Sequence, residues 1–84
     1  LYNHYNDNKY KNIGDVMYEK ILENIRYYFN KTGKSIEELS EITNLSSIYL
    51  KSLLKGTRKN PSLDTIDKLA TAFNVDILVL IGIK

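Results

Sequence analysis

The stretch Ser35 to Lys59, S-I-E-E-L-S-E-I-T-N-L-S-S-I-Y-L-K-S-L-L-K-G-T-R-K, most constrains what this chain can fold into. It holds two short helical patterns with a tight break between them. Ser35 suits the N-cap of the first, and Glu38 stands three residues on, as a capping box requires. Ile36, Leu39 and Ile42 recur at helical spacing and give that helix an apolar face. Asn44 interrupts the pattern; asparagine tolerates the left-handed conformation that ends helices. Ser46 is the N-cap of the second helix, with Leu50, Leu53 and Leu54 as its buried stripe, and Gly56 stops it. The first helix is expected at about 35–43 and the second at about 46–55.

The flanking sequence continues in helices. Met17, Ile21, Ile25 and Tyr28 form a four-three stripe with Leu22 and Phe29 beside it, predicting a helix over about 16–31 that Thr32-Gly33 ends. Tyr27 and Tyr28 suit a core margin, with apolar bodies and polar tips. A loop from Thr57 to Asn60 is closed by Pro61. Ser62 then caps a helix whose buried face is Leu63, Ile66, Leu69, Ala70 and Phe73 and which Asn74 ends. Asp76 caps a last short segment, I-L-V-L-I, which is apolar on every side. A β-branched run also suits a strand; the Asp cap favours a helix. The expectation is an all-α domain of five helices over residues 16–84. Its expected core is Ile21, Ile25, Phe29, Leu39, Ile42, Leu50, Leu53, Leu63, Ile66, Leu69 and Phe73.

Residues 1–15 show neither helical nor alternating periodicity and are rich in Asn and Tyr. They read as a flexible leader. Met17 is a candidate natural start, with the leader an upstream extension. The competing reading is an arm in which Tyr2, Tyr5, Lys9, Tyr10 and Lys11 touch DNA or a partner.

Composition narrows the function classes. The chain has 84 residues and no cysteine, so disulfide frameworks and thiolate metal sites are excluded. Its one histidine, His4, lies in the polar leader, so neither a zinc site nor a histidine-based triad is expected. No nucleophile–base pair or Gly-rich phosphate loop is present, and the reading is not an enzyme, with no cofactor and no metal. No apolar run approaches the roughly 20 residues a membrane span needs. No secretion signal is evident, and the expected location is the cytoplasm. The net charge of +2 says little, but its distribution says more. Lys51, Lys55, Arg58 and Lys59 fall between Asn44 and Asn60, a window without an acidic residue, while Glu37, Glu38 and Glu41 cluster just before it. A local basic strip is what a phosphate-facing surface requires.

Two short helices meeting steeply across a tight turn form a helix-turn-helix, whose second helix enters the DNA major groove. The chain from about Ile21 to Ile81 resembles the phage-repressor (Cro-type, xenobiotic-response-element-like) helix-turn-helix proteins. The likeness rests on S-I-E-E-L-S, N-L-S, Leu50 and Leu53, K-G, and N-P-S-L-D-T-I-D-K-L-A-T-A-F-N-V, in that order. It implies a five-helix DNA-binding domain and a dimeric transcriptional regulator, a repressor that acts by occupying a promoter. Ser46, Ser47, Ile48, Lys51 and Ser52 would face the bases. Ser35, Lys55, the Gly56 backbone N–H, Thr57, Arg58 and Lys59 would hold phosphates. Ile48 suits a thymine methyl group and Lys51 can reach guanine O6/N7 or a phosphate.

Three departures from the family matter. Phe29 and Leu54 stand where members often carry a buried Arg–Glu pair, so the pair looks replaced as a unit and the two are expected to touch. Ile36 stands where a phosphate-binding Gln is common, leaving backbone N–H groups at that helix start, the Ser35 hydroxyl and the basic loop. Leu78 and Val79 stand where the family tends to be polar. With Ile81 they mark an expected homodimer interface, unless the leader or the first turn of the first helix covers them. The alternative function is a protein-interaction module, such as an antitoxin, that uses this same apolar surface.

Overall fold

The computed structural model describes residues 13–84, which form five α-helices: α1 Ile13–Thr32, α2 Ile36–Thr43, α3 Ser47–Lys55, α4 Leu63–Phe73 and α5 Ile77–Ile81. No strand occurs among the described residues, and the I-L-V-L-I segment is helical. The side-chain caps read from the sequence are all in place. Ser35, Ser46 and Ser62 each accept a hydrogen bond from the backbone N–H three residues on, and Asp76 accepts from that of Leu78. These bonds satisfy donors that a helix start otherwise leaves without partners. At the other ends, Asn44, Gly56, Asn74 and Gly82 adopt left-handed conformations.

α1 begins three residues before the expected Val16, with Asp15 giving its first turn a favourable negative charge. Residues 13–15 of the expected leader are thus helical. The rest of that expectation, and the arm reading of Tyr2 to Lys11, lie outside the described residues.

The core sits where α1 meets α3, α4 and α5, with α2 closing it against α3 and α4. Ile21, Leu22 and Ile25 of α1 pack with Leu39, Leu50, Leu53, Ile66, Leu69, Ala70, Ala72, Phe73 and Leu80. Leu80 has no exposed surface at all, although α5 is only 5 residues long. An isolated helix of that length does not persist in water, so α5 exists because it is docked. Its seat is partly polar. The Asn24 side-chain amide of α1 donates to the Leu80 carbonyl at 3.0 Å and the Val79 carbonyl at 3.4 Å. Tyr28 stacks on Phe73 at the core margin, with ring centroids 6.3 Å apart. Tyr27 stays exposed and meets Tyr28 edge-on at 4.9 Å.

Two expected core residues are on the surface: Ile42 is 54% exposed and Leu63 65%. With about 100° of turn per residue, Thr43 falls between Ile36 and Leu39 on the α2 wheel, whereas Ile42 lies about 60° beyond Leu39. Thr43 is therefore the buried residue, and its hydroxyl donates back to the Leu39 carbonyl at 2.6 Å. Leu63 opens α4 at the edge of its buried arc, which is Thr65, Ile66, Leu69, Ala70, Ala72 and Phe73. Met17 is exposed and Phe29 only partly buried. Phe29 and Leu54 line one apolar void of about 10 Å³, together with Ile25, Leu39, Leu50, Leu53, Leu69 and Phe73.

Candidate nucleic-acid interface

The turn between α2 and α3 is fixed by polar groups that the sequence places around Asn44. Asn44 takes φ 63°, ψ 21°, and its N–H donates to the Ser40 carbonyl at 2.9 Å. The Ser40 hydroxyl donates to the Leu45 carbonyl at 2.6 Å, and the Leu45 N–H donates to the Thr43 hydroxyl oxygen at 3.2 Å. With Leu45 packed against the core, the chain can leave this turn in only one direction.

That direction is set so that α3 buries Leu50 and Leu53 and presents Ile48, Lys51 and Lys55 outward. The three lie at helical spacing on one stripe. Ile48 is 79% exposed, the most exposed of the large apolar side chains among the described residues.

The polar candidates on α3 differ in what they have left to offer. The Ser46 oxygen accepts from the Tyr49 N–H at 3.1 Å, so its own proton stays available. The Ser52 hydroxyl donates to the Tyr49 carbonyl at 2.6 Å and retains only acceptor capacity. Ser47 is half-buried; Lys51 is exposed. Both lie on α3.

Just past α3 the chain folds around a single atom. The Ser52 carbonyl accepts from the N–H groups of Gly56 (3.1 Å), Thr57 (3.0 Å) and Arg58 (3.2 Å), and from the Thr57 hydroxyl (3.2 Å). Gly56 makes this possible at φ 85°, a conformation that costs glycine nothing. The Gly56 N–H also reaches the Leu53 carbonyl, so in this structure it is committed to the α3 C-cap and has no proton for a phosphate. The Thr57 hydroxyl proton is similarly engaged. The ends of Lys55, Arg58 and Lys59 stay exposed, and among the described residues none of these three, nor Lys51, forms an ion pair.

Ser35 lies at the far end of α2. Its capping box is complete: the Ser35 N–H donates to Glu38 Oε1 at 2.8 Å, and its oxygen accepts from the Glu38 N–H at 3.1 Å. Glu37 and Glu38 in the first turn compete with any phosphate for this helix start. On α5, Leu78 is 38% exposed while Val79 and Ile81 are half-buried. Ile83, which the periodicity did not single out, is exposed next to them in sequence.

Three features escaped the sequence reading. Arg26 of α1 donates to the Leu54 carbonyl at 3.4 Å, so a helix 1 arginine does reach the end of α3, one turn before Phe29 and through the backbone. The Arg58 guanidinium lies 5.4 Å from the centre of the Tyr49 ring. The convergence on Ser52 had only Gly56 as a signal. Among the described residues no group of three or more His, Cys, Asp or Glu could hold a metal, and no helix is long and apolar enough to cross a membrane.

Comparison with known proteins gives the same outline. A family model described as helix-turn-helix matches residues 25–80, from the middle of α1 to the buried residue of α5. The HTH-type transcriptional regulator SinR of Bacillus licheniformis is 27% identical over 62 residues, which cover 74% of this chain and 56% of that protein. The chain thus spans about half the length of the curated relative it matches. No solved structure gives a significant match.

Proposed function

Because the chain belongs to the helix-turn-helix family of phage-repressor type, we propose that it is a sequence-specific double-stranded DNA-binding transcriptional regulator with α3 as its reading helix. One observation carries the reading: α3 presents Ile48, Lys51 and Lys55 on a single outward stripe that runs into unpaired Arg58 and Lys59. That stripe combines an apolar tip for base edges with cations for phosphates.

In this reading Ile48 packs against thymine methyl groups, the apolar feature of the major groove. Lys51 reaches guanine O6/N7 or a neighbouring phosphate. Ser46 and Ser47 donate or accept weakly, Ser52 accepts only, and these serines discriminate little between bases. Sequence preference therefore leans on A·T content and groove shape. Lys55, Arg58 and Lys59 bind phosphates and set register. Ser35 and the α2 start contribute less, given Glu37 and Glu38 beside them.

The regulator acts as a homodimer through Leu78, Val79 and Ile81, in the cytoplasm, and represses by occupying a promoter. Two copies of α3 about 34–36 Å apart would read half-sites one turn apart on one face of the duplex. The exposed Leu78 and Ile83 support a second reading, in which the α5 surface docks a different protein, as an antitoxin does.

Selection from a random duplex pool at two salt concentrations tests the proposal, with Lys51→Ala and Arg58→Ala in parallel. The expected result is a two-fold symmetric, A·T-containing motif. Arg58→Ala should weaken all sequences alike and lower the salt slope by about one per site, and Lys51→Ala should change the preference. Weak, unselective binding that vanishes at moderate salt would refute it and move the function to the α5 surface.

A further inference from the structure

Tyr49 lies on α3 between the outward stripe and the core. Its N–H is fixed by the Ser46 cap. Its ring packs against the core, and its hydroxyl lies 3.5 Å from the Thr65 hydroxyl at the start of α4. Thr65 is in turn held from both sides, its N–H donating to the Ser62 oxygen and its own oxygen accepting from the Ser62 hydroxyl, each at 3.1 Å. Core packing holds the ring on α3, and the long hydroxyl contact to Thr65 adds little to that hold. Over it lies the Arg58 guanidinium, with its carbon 5.4 Å from the ring centroid. The Arg58 backbone is fixed as well, by its N–H on the Ser52 carbonyl. A guanidinium held over an aromatic face makes a cation–π contact that occupies no N–H donor in an ion pair, so its donors remain for another acceptor. No carboxylate among the described residues takes them.

We propose that Tyr49 is a positioning residue, a platform that holds the Arg58 guanidinium oriented for a phosphate beside α3. The inference rests on the DNA-binding reading above and adds to it a role for a side chain that touches no DNA. An exposed arginine with four free torsions loses that freedom on binding; one already held over a ring loses less. The platform also explains why the cation there is arginine. Lysine would supply the charge but no plane to stack.

The test is a double-mutant cycle on binding to a mixed-sequence duplex pool, read with Arg58 side-chain proton shifts in the DNA-free protein. Wild type should show Arg58 δ-methylene protons moved upfield by the ring, a displacement that Tyr49→Leu removes and Tyr49→Phe keeps. Tyr49→Leu should weaken binding about two- to five-fold, Tyr49→Phe should bind like wild type, and Tyr49→Leu should have no further effect on top of Arg58→Ala. The salt slope should stay at the wild-type value in Tyr49→Leu, because the contact remains, and fall by about one in Arg58→Ala. Should Tyr49→Leu fail to fold, Arg58→Lys carries the test: it leaves the core untouched, keeps the charge and is expected to show the same several-fold loss. Equal losses from Tyr49→Leu with and without Arg58, unshifted Arg58 protons in wild type, or Arg58→Lys binding like wild type would each overturn the platform while leaving DNA binding intact. Shifted protons in a wild type that binds no duplex would overturn the DNA reading and the platform with it.

Discussion

Replacing Asn24 with alanine should loosen the whole C-terminal end of the domain. Asn24 gives the Leu80 carbonyl a hydrogen bond of ordinary length and the Val79 carbonyl a longer one, 3.0 Å and 3.4 Å. The site is half-buried, so water restores only part of what is lost. One full bond and one weak bond, at about 0.5–1.5 kcal/mol net for a full one plus some penalty for the carbonyls left behind, come to about 1–2 kcal/mol. For a domain this small, each kcal/mol lowers Tm by about 4–8 °C, so a drop of about 5–15 °C relative to a variant with the same helix-propensity gain is expected in a calorimetric or circular-dichroism melt. Alanine is also the better helix former by roughly half a kcal/mol. Asn30→Ala, at an exposed position of the same helix, carries that gain without the loss and is the proper reference. Hydrogen exchange should localise the effect, since the Gly82, Ile83 and Lys84 amides all donate to the Leu78 carbonyl and open with α5. If Asn24→Ala lies within about 0.5 kcal/mol of Asn30→Ala, the span of ordinary surface substitutions, α5 is held by apolar packing alone and the polar seat is irrelevant.

Asn44→Gly should leave stability unchanged or slightly raised, whereas Asn44→Ala should lower it by about 1–2 kcal/mol in urea titrations, because alanine resists the positive φ there; equal effects would contradict the turn geometry. Leu80→Ala should remove about 3–5 kcal/mol, while Leu63→Ala should change stability by less than about 0.5 kcal/mol, a contrast that urea melts would expose directly. The Asp76 carboxylate is held below the usual range, first by the Leu78 N–H and then by the Lys84 ammonium 3.0 Å away. A depressed carboxylate adds stability above its ordinary pKa of about 4 and loses it as pH falls through the folded value. Asp76→Asn keeps an oxygen for the cap, so wild type should be the more stable at neutral pH and the gap should close in acid. A gap that stays constant across urea titrations over that range would rule out the linkage.

Helix order was legible throughout, and the ends of α2 to α5 were legible because each start carries a side-chain acceptor and each end a residue that tolerates positive φ. Those signals are local and do not depend on what packs above. The start of α1 lacks such a signal and lies three residues before the expected one. Burial was less legible wherever it turned on a few tens of degrees around a helix. Ile42 and Thr43 are neighbours, and hydrophobicity points to Ile42, yet helical angle puts Thr43 inward, with a self-satisfied hydroxyl that removes the objection to burying it. The outward stripe of α3 could be read from Leu50 and Leu53 alone. What its side chains have left to donate could not. That depends on bonds such as Ser52 to Tyr49 and Gly56 to Ser52, which require the folded path of the chain. The Tyr49–Arg58 contact pairs residues nine apart through a loop, a distance at which no periodicity speaks.

The four donors gathered on the Ser52 carbonyl bear on how such a protein changes over generations. The wrap is made by backbone groups and one threonine, so it fixes the number of residues between the helix and its basic loop but leaves the neighbouring charges open. Lys55 and Lys59 can be exchanged or removed with the wrap intact, and affinity retuned in small steps. A residue inserted between Ser52 and Gly56 would displace all four donors at once. Drift here should thus explore composition freely and length hardly at all.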